Sequence, residues 1–233
     1  TIAGATVQNV GAYGAEIGST VKAVLCYDRQ DKREVTLSHN DMAYGYRDSA
    51  LKHEPFKNRL IVVATDIVLS KKPCPKLSYG NLHRTLSHLG DRLTPLDVRE
   101  EVIRTRRGKL PEVTETGSAG SFFKNPVVSP RAHRQVIEAA ADMGIDTSTM
   151  PAHETVTPDG EPAIKLSAAW LIDKSGWKGY RRWNVGTWLT QPLVLVNITG
   201  YAAGIEITAL ARDIIADVQA KWGITLTPEV EYL

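Results

Sequence analysis

The segment Gly117-Ser-Ala-Gly-Ser-Phe-Phe-Lys-Asn-Pro126 is the part of the chain best suited to chemistry. Its glycines bring the backbone close to a ligand, and Ser121 follows on what reads as a flexible turn. Backbone N–H groups, the Ser121 hydroxyl and the Lys124 cation can then meet one anionic group. Ser121 is a poor acyl-transfer nucleophile, because no Ser-His-Asp set surrounds it and the six histidines fall in no catalytic spacing. A serine can instead deliver a proton to a carbanion when cations stabilise its alkoxide, and Lys124 supplies part of such a field. Arg47, in Tyr46-Arg47-Asp48-Ser49, is by type a fork for a carboxylate or an enolate oxygen. By frequency it is a surface salt bridge with a neighbouring acid. Glu229 lies in Thr227-Pro-Glu-Val-Glu-Tyr-Leu233, whose alternation sends Glu229 and Glu231 to one face as solvent-facing glutamates. Residue types alone favour the plain readings of Arg47, Ser121 and Glu229.

These residues are far apart, so the fold has to position them. A chain of 233 residues, 42% apolar and 23% charged, buries a substantial core in one or two domains. A net charge of +2 argues against a general nucleic-acid binder. The basic run Arg104-Thr-Arg-Arg-Gly-Lys109 reads as a solvated helix end before it reads as a phosphate site. Trp177, Trp183 and Trp188 interleave with Lys178, Arg181 and Arg182, too short a pattern to signal nucleic acid. Cys26 and Cys74 lack metal spacing and read as idle or buried thiols of a reducing compartment, and no metal site is expected. No apolar run reaches the ~18 residues that span a membrane. Thr1-Ile-Ala-Gly-Ala-Thr6 opens without a signal peptide and as though mid-motif, so a fragment of a longer protein is expected.

The first 30 residues, small and glycine-rich, read as loop. Strands are expected over 21–27, 34–37 and 60–69, with short helix and loop over 40–53. Residues 71–95 read as a long loop, and Thr94-Pro95 opens a helix to about Arg107. Helices are expected from Ser129-Pro130 to Gly144, with Val136, Ile137, Ala140 and Met143 inward, over 166–173, and over 204–222. Residues 145–162 read as loop, 193–197 as a buried strand and 224–233 as a closing strand. Strands and helices mix without regular βαβ alternation, which makes the class α+β.

Seven segments carry a resemblance to a known family. They are Val7-Gln-Asn-Val-Gly-Ala-Tyr-Gly14, Gly45-Tyr-Arg-Asp-Ser49 with Lys52, Leu77-Ser-Tyr-Gly-Asn-Leu82, Lys109-Leu-Pro111, Gly117 to Pro126, Ala168-Ala-Trp-Leu-Ile172 and Leu226-Thr-Pro-Glu-Val230. In this order the chain resembles UDP-N-acetylenolpyruvoylglucosamine reductase, a flavoenzyme of peptidoglycan precursor synthesis. The resemblance implies an FAD-binding portion and a separate substrate domain. It divides the chain into residues 1–110, completed by the closing strand 224–233, and a substrate domain over 111–223. It implies FAD that takes hydride from NADPH and passes it to an enolpyruvyl double bond on a UDP-sugar, giving UDP-N-acetylmuramate. By motif position Ser121 resembles the proton donor. Arg47 and Glu229 resemble the pair that polarises the enolpyruvyl carboxylate and stabilises the enolate. Tyr79 and Lys109 look like the residues that grip the diphosphate, and Tyr79 places the chain with the subgroup whose tyrosine loop folds over the substrate. Lys124, Asn125, Lys178 and Gln191 match further substrate contacts, and Gln8, Asn9, Gly11, Ala12, Tyr13 and Gly14 match the flavin-lining stretch. The implied protein is a cytoplasmic monomer without nucleic-acid or membrane partners.

Two departures from the family pattern matter. The glycine-rich flavin pyrophosphate loop is not in this sequence, so the 233 residues alone are expected to bind FAD weakly or not at all and to lack turnover. Met150 stands where some relatives carry a substrate-contacting tyrosine, and Trp188 where some have histidine. The alternative from another class is a nucleotide-sugar binding module without catalysis. A nucleic-acid binder, the third reading, predicts steep salt dependence.

Overall fold

A computed structural model describes residues 1–72 and 74–232, in two compact units divided at Arg104/Thr105. The first opens with a helix, α1 (Ile2–Gln8), where loop was expected. Thr1 Oγ1 accepts the Gly4 N–H at 3.1 Å, and Asn9 ends the helix in the left-handed region at φ 46°. Small side chains carry little helix signal, but a cap at each end suffices for two turns. A hairpin follows, β1 (Gly11–Ala12) and β2 (Ala15–Glu16), joined by Tyr13-Gly14 with φ of 53° and 78°. Positive φ at both central residues is the signature of the turn whose twist suits a two-residue hairpin. It sets Gly11 directly opposite Glu16.

Three strands expected from β-branched runs form one antiparallel sheet in the order β4-β3-β5, with β3 (Val21–Asp28), β4 (Arg33–Ser38) and β5 (Leu60–Ile67). Val24, Cys26 and Met42 are fully buried against its inner face. At the end of β3, Asp28 is 2% exposed and takes a fork from Arg59, with Nη2 to Oδ2 at 2.7 Å. The expected long loop over 71–95 contains a short helix, α2 (Leu82–Leu86), and a 3-10 stretch over Ser87–Arg92. The helix begun at Pro95, α3 (Pro95–Lys109), runs slightly beyond its expected end.

Among the described residues, the second unit holds two small sheets, the end of α3 and three further helices. The glycine-rich segment expected as a loop is a strand, β6 (Gly117–Ser121). After it come β7 (Val127–Val128), α4 (Pro130–Asp142), β8 (Ala152–Val156), β9 (Pro162–Leu166), α5 (Ala168–Lys174), β10 (Arg181–Arg182), β11 (Val185–Thr187), β12 (Val194–Asn197) and α6 (Gly204–Trp222). One antiparallel sheet runs β10-β11-β12-β6 and the other β7-β9-β8. The strand β8 lies inside a stretch read as loop, because the Pro158-Asp-Gly160 turn signal masked the alternation beside it. In α4, Val136 and Ala140 are fully buried as expected, whereas Ile137 and Met143 are about 40% exposed at 38% and 42%. The stripe of α6 packs inward as its spacing requires, with Leu210, Ala211, Ile214 and Val218 fully buried. Gly223 ends the helix at φ 68°.

The residues after α6 form no ladder strand among those described; Phe123 and Pro228 make one isolated bridge, the chain bends at Glu229 and Val230, and Leu233 lies outside the described residues. Pro228 cannot donate to a ladder, which limits the pairing. Ile224 and Leu226, at 5% and 1% exposure, belong to the core of this second unit. All five tryptophans, Trp170, Trp177, Trp183, Trp188 and Trp222, fall in the same unit.

Candidate functional site

Ser121 owes its position to an irregular strand. Along β12 and β6, Val196 pairs with Ser118 and Val194 with Ser121, so β6 carries one extra residue. Gly120, at φ 74°, absorbs it. A bulge of this kind re-aims the side chain that follows it, and only glycine enters that backbone region at little cost. Ser121 is exposed at the strand's end while Phe122 and Phe123 turn into the core at 2% and 1% exposure.

The tail comes back to the same place. Lys124 N donates to Thr227 O at 2.8 Å, and Glu229 N donates to Phe122 O at 2.8 Å. These two bonds fix Glu229 beside the residue that follows Ser121. Glu229 is partly buried rather than fully solvent-facing, unlike the plain reading of its alternation. Asn125 Oδ1 accepts the Ala168 N–H at 3.0 Å, tying the same segment to the start of α5. The loop between β11 and β12 brings Gln191, whose backbone carbonyl accepts from Val194 N at 2.9 Å. Its Oε1 is buried with no hydrogen-bond partner among the described residues. Lys109, the last residue of α3, offers its carbonyl to Thr190 Oγ1 at 2.8 Å, which sets it next to Gln191. Lys178 lies between α5 and β10, next to Gly179, which packs against Leu189 of the β11–β12 loop; its Nζ is 3.5 Å from Asp173 Oδ2. Met150 packs against the core, and Trp188 N donates to Val194 O. The second unit thus gathers Ser121, Lys124, Asn125, Gln191 and Glu229 around β6 and β12.

Arg47 lies in the first unit, on a tight turn. Gly45 and Asp48 exchange backbone hydrogen bonds at 3.1 and 3.2 Å, and Arg47 takes φ 53°. A non-glycine residue in that region costs of order 1 kcal/mol, and such strain concentrates at functional positions. The strained backbone is held from several sides. Lys52 Nζ reaches Arg47 O at 3.3 Å, and Ser49 Oγ donates to Val7 O at 2.6 Å. The guanidinium donates through Nη2 to Gly11 O and lies over the Tyr46 ring at 5.4 Å. The surface-salt-bridge reading is therefore too simple, since the Arg47 side chain is only 17% exposed.

The flavin-matching stretch divides into two kinds of residue. Asn9 is 2% exposed; its carboxamide donates to Glu16 Oε2 and Gly45 O and accepts from Gly18 N. Gly11 is packed by Arg47 and Glu16 themselves. Ala12, Tyr13 and Gly14 form the hairpin tip, with the Tyr13 ring edge-on to Tyr79 at 5.6 Å. Tyr79 is 55% exposed. Gln8 Oε1 accepts from Lys52 Nζ at 2.6 Å, and its Nε2 is buried with no partner among the described residues. Tyr44 closes the floor behind Asn9; burial, and then the field of Cys26, push its hydroxyl up to about 12.

Sequence reasoning missed two members of this group. Lys52 stood in the matched motif without a role, yet it anchors both Gln8 and the Arg47 backbone. Glu16 was not singled out at all; the one available signal was the Gly11-to-Gly14 hairpin, whose register puts a carboxylate opposite Gly11. Among the described residues no group of three or more His, Cys, Asp or Glu could hold a metal ion, and no helix is long and apolar enough to cross a membrane.

The α+β fold is shared with a solved protein. The crystal structure of UDP-N-acetylenolpyruvylglucosamine reductase (MurB) from Thermus caldophilus matches with a TM-score of 0.59 at 23% identity, over 99% of this chain and 59% of that one. The sequence model of the UDP-N-acetylenolpyruvoylglucosamine reductase C-terminal domain matches residues 112–233. Reductases of that name from Chromobacterium violaceum and from Pseudomonas syringae pv. tomato are 39% and 36% identical, each over 98% of this chain. The chain belongs to the UDP-N-acetylenolpyruvoylglucosamine reductase family. It spans 64% of the length of these two relatives.

Proposed function

We propose that this chain supplies the substrate-binding part and the remainder of the flavin-binding part of an NADPH-dependent reductase. Its substrate is the enolpyruvyl ether of UDP-N-acetylglucosamine, and its product is UDP-N-acetylmuramate for peptidoglycan synthesis. The second unit binds the UDP-sugar and the first lines the cofactor. The observation that carries this reading is the pairing of the tail with the Ser121 segment, which sets Glu229 beside Ser121 within a unit of family-typical sequence.

Ser121, re-aimed by the bulge at Gly120, delivers the proton to the carbon next to the reduced one. Glu229 and Arg47 act on the enolpyruvyl carboxylate: the guanidinium offsets the charge that develops as the enolate forms. Lys124 strengthens the field at the Ser121 oxygen. Tyr79 and Lys109 hold the diphosphate, and Asn125, Lys178 and Gln191 hold the rest of the substrate. The orphaned Gln191 Oε1 suits a hydroxyl or amide donor, since a buried acceptor without a partner is costly.

FAD fits the first unit in one respect: the buried Nε2 of Gln8 needs an acceptor, and a flavin ring offers several. When bound, FAD supplies the hydride that it has taken from NADPH. Gln8 and the hairpin tip Ala12-Tyr13-Gly14 would hold it. Asn9 and Gly11 serve it indirectly, because their polar groups are engaged within the unit. The 233 residues by themselves hold FAD weakly or not at all, and the protein acts as a cytoplasmic monomer.

The test has two parts. In the full-length protein, Ser121→Ala lowers substrate-dependent NADPH oxidation by about a hundredfold or more, the scale of a lost proton donor. UDP-sugar binding without any NADPH oxidation would instead favour a non-catalytic binding module. Stoichiometric flavin absorbance in the purified 233-residue chain would refute the proposed need for further flavin-binding sequence.

A further inference from the structure

We propose that Glu16 is a positioning residue that fixes the orientation of the Arg47 guanidinium. The inference rests on the reading of Arg47 given above, as the group that meets the enolpyruvyl carboxylate.

The argument starts from the hairpin. Its turn places Glu16 directly across from Gly11. Gly11 has no side chain, so the Glu16 stem and the Arg47 guanidinium share the space above it. A Cβ at Gly11 would lie 2.6 Å from Glu16 Cγ and 2.9 Å from Arg47 Nη1. Contacts that short would push the Glu16 or Arg47 side chain from its place, so their observed packing depends on the glycine.

Polar contacts then set the direction. Arg47 Nη2 donates to Gly11 O, while Nη1 faces Glu16 Oε1 at 4.0 Å. The other carboxylate oxygen, Oε2, accepts from Asn9 Nδ2 at 3.0 Å. Asn9 is itself locked, with Oδ1 on Gly18 N at 2.9 Å and Nδ2 also on Gly45 O at 2.8 Å. One buried carboxamide thus holds both the first residue of the Arg47 turn and the carboxylate that faces the guanidinium. The Arg47 side chain is 17% exposed, so its interaction with Glu16 is screened less than a surface pair would be. An arginine has many rotamers, and this arrangement removes that freedom before substrate arrives.

The experiment compares wild type, Glu16→Gln, Arg47→Met and the double variant of the full-length protein. Glu16→Gln keeps the shape and removes the charge at a half-exposed position, so it leaves the fold intact. Two ligands are titrated by calorimetry: the UDP-N-acetylglucosamine enolpyruvyl ether, and UDP-N-acetylglucosamine, which has no carboxylate. Arg47 side-chain N–H exchange is followed by NMR without ligand. The expected result is faster Arg47 N–H exchange in Glu16→Gln and about fivefold to tenfold weaker binding of the enolpyruvyl ether alone. No further loss is expected in the Arg47→Met background, as coupled residues require. Unchanged Arg47 exchange overturns the proposal. So does equal weakening of both ligands by Glu16→Gln when Arg47→Met weakens the enolpyruvyl ether alone, or a Glu16→Gln effect that persists without Arg47. If Glu16→Gln frees the Arg47 signals but Arg47→Met weakens both ligands equally, the positioning stands. The carboxylate reading of Arg47 then falls by itself.

Discussion

Replacing Leu226 by alanine should damage both the stability of the second unit and the chemistry of Glu229. Leu226 is 1% exposed in the second core. The substitution removes three carbons, worth about 2.4 kcal/mol in transfer. No water can refill the space, so the cavity left behind adds roughly 1–2 kcal/mol. A loss of about 4 kcal/mol at about 3 °C each lowers the melting temperature of that unit by roughly 10–12 °C. The functional effect follows from sequence neighbours. Thr227 O and Glu229 N make the two hydrogen bonds that hold the tail beside the Ser121 segment. Loosening Leu226 therefore frees Glu229, and turnover of the full-length protein falls even below the melting range. Near-UV circular dichroism of a thermal scan reads the first effect and NADPH oxidation the second. Glu229→Gln is the control: it removes turnover and moves the melting temperature by about 1 °C or less, as a partly exposed polar change should. A drop of less than about 3 °C in Leu226→Ala would show that the tail is not anchored by its core residues, and the link from packing to Glu229 would fail.

Two further outcomes are expected. The Arg59 hydrogen bonds, with the Gln30 and Asp31 N–H groups adding to them, hold the Asp28 carboxyl down to about 2. A folded-state value below the unfolded one, ~3.9, means that the contribution is fully present above that value and fades as pH falls toward about 2. Acid titration of the first unit should therefore show stability declining through that window in wild type and a flatter profile in Asp28→Asn; identical profiles would contradict it. Gly120→Ala meets no atom within 4 Å but forces an alanine to φ 74°. It should cost about 1–2 kcal/mol of stability and, by undoing the bulge, lower turnover more than tenfold; unchanged turnover would show that the bulge does not aim Ser121.

The parts of the fold that sequence made legible are those with local period. The helix α6 has its expected ends because an apolar stripe and a left-handed glycine both mark it. The sheet β4-β3-β5 follows from β-branched runs around a polar turn. What stayed hidden depends on partners distant in the chain. Glycine-rich β6 looks like loop by propensity, yet its backbone pairs with β12, and pairing needs no side chains. The tail alternates like a strand, but Pro228 and the single bridge to Phe123 keep it from forming one. The candidate site was suggested only by whole-motif resemblance. Residue types favoured a surface ion pair for Arg47 and solvent for Glu229. The turn strain at Arg47 is a tertiary fact that no spacing announces, and the place of Glu16 could be read only by taking Gly11 to Gly14 as a hairpin.

The placement of the indole rings gives the molecule a built-in optical partition. Every tryptophan belongs to the second unit, and Trp170 and Trp222 touch at 5.4 Å inside its core. Light absorbed at the red edge of the indole band therefore excites that unit and leaves the first one dark. Emission excited there reports the half that carries Ser121 and Glu229, and the half that carries Arg47 can be given its own colour by one tryptophan introduced into it.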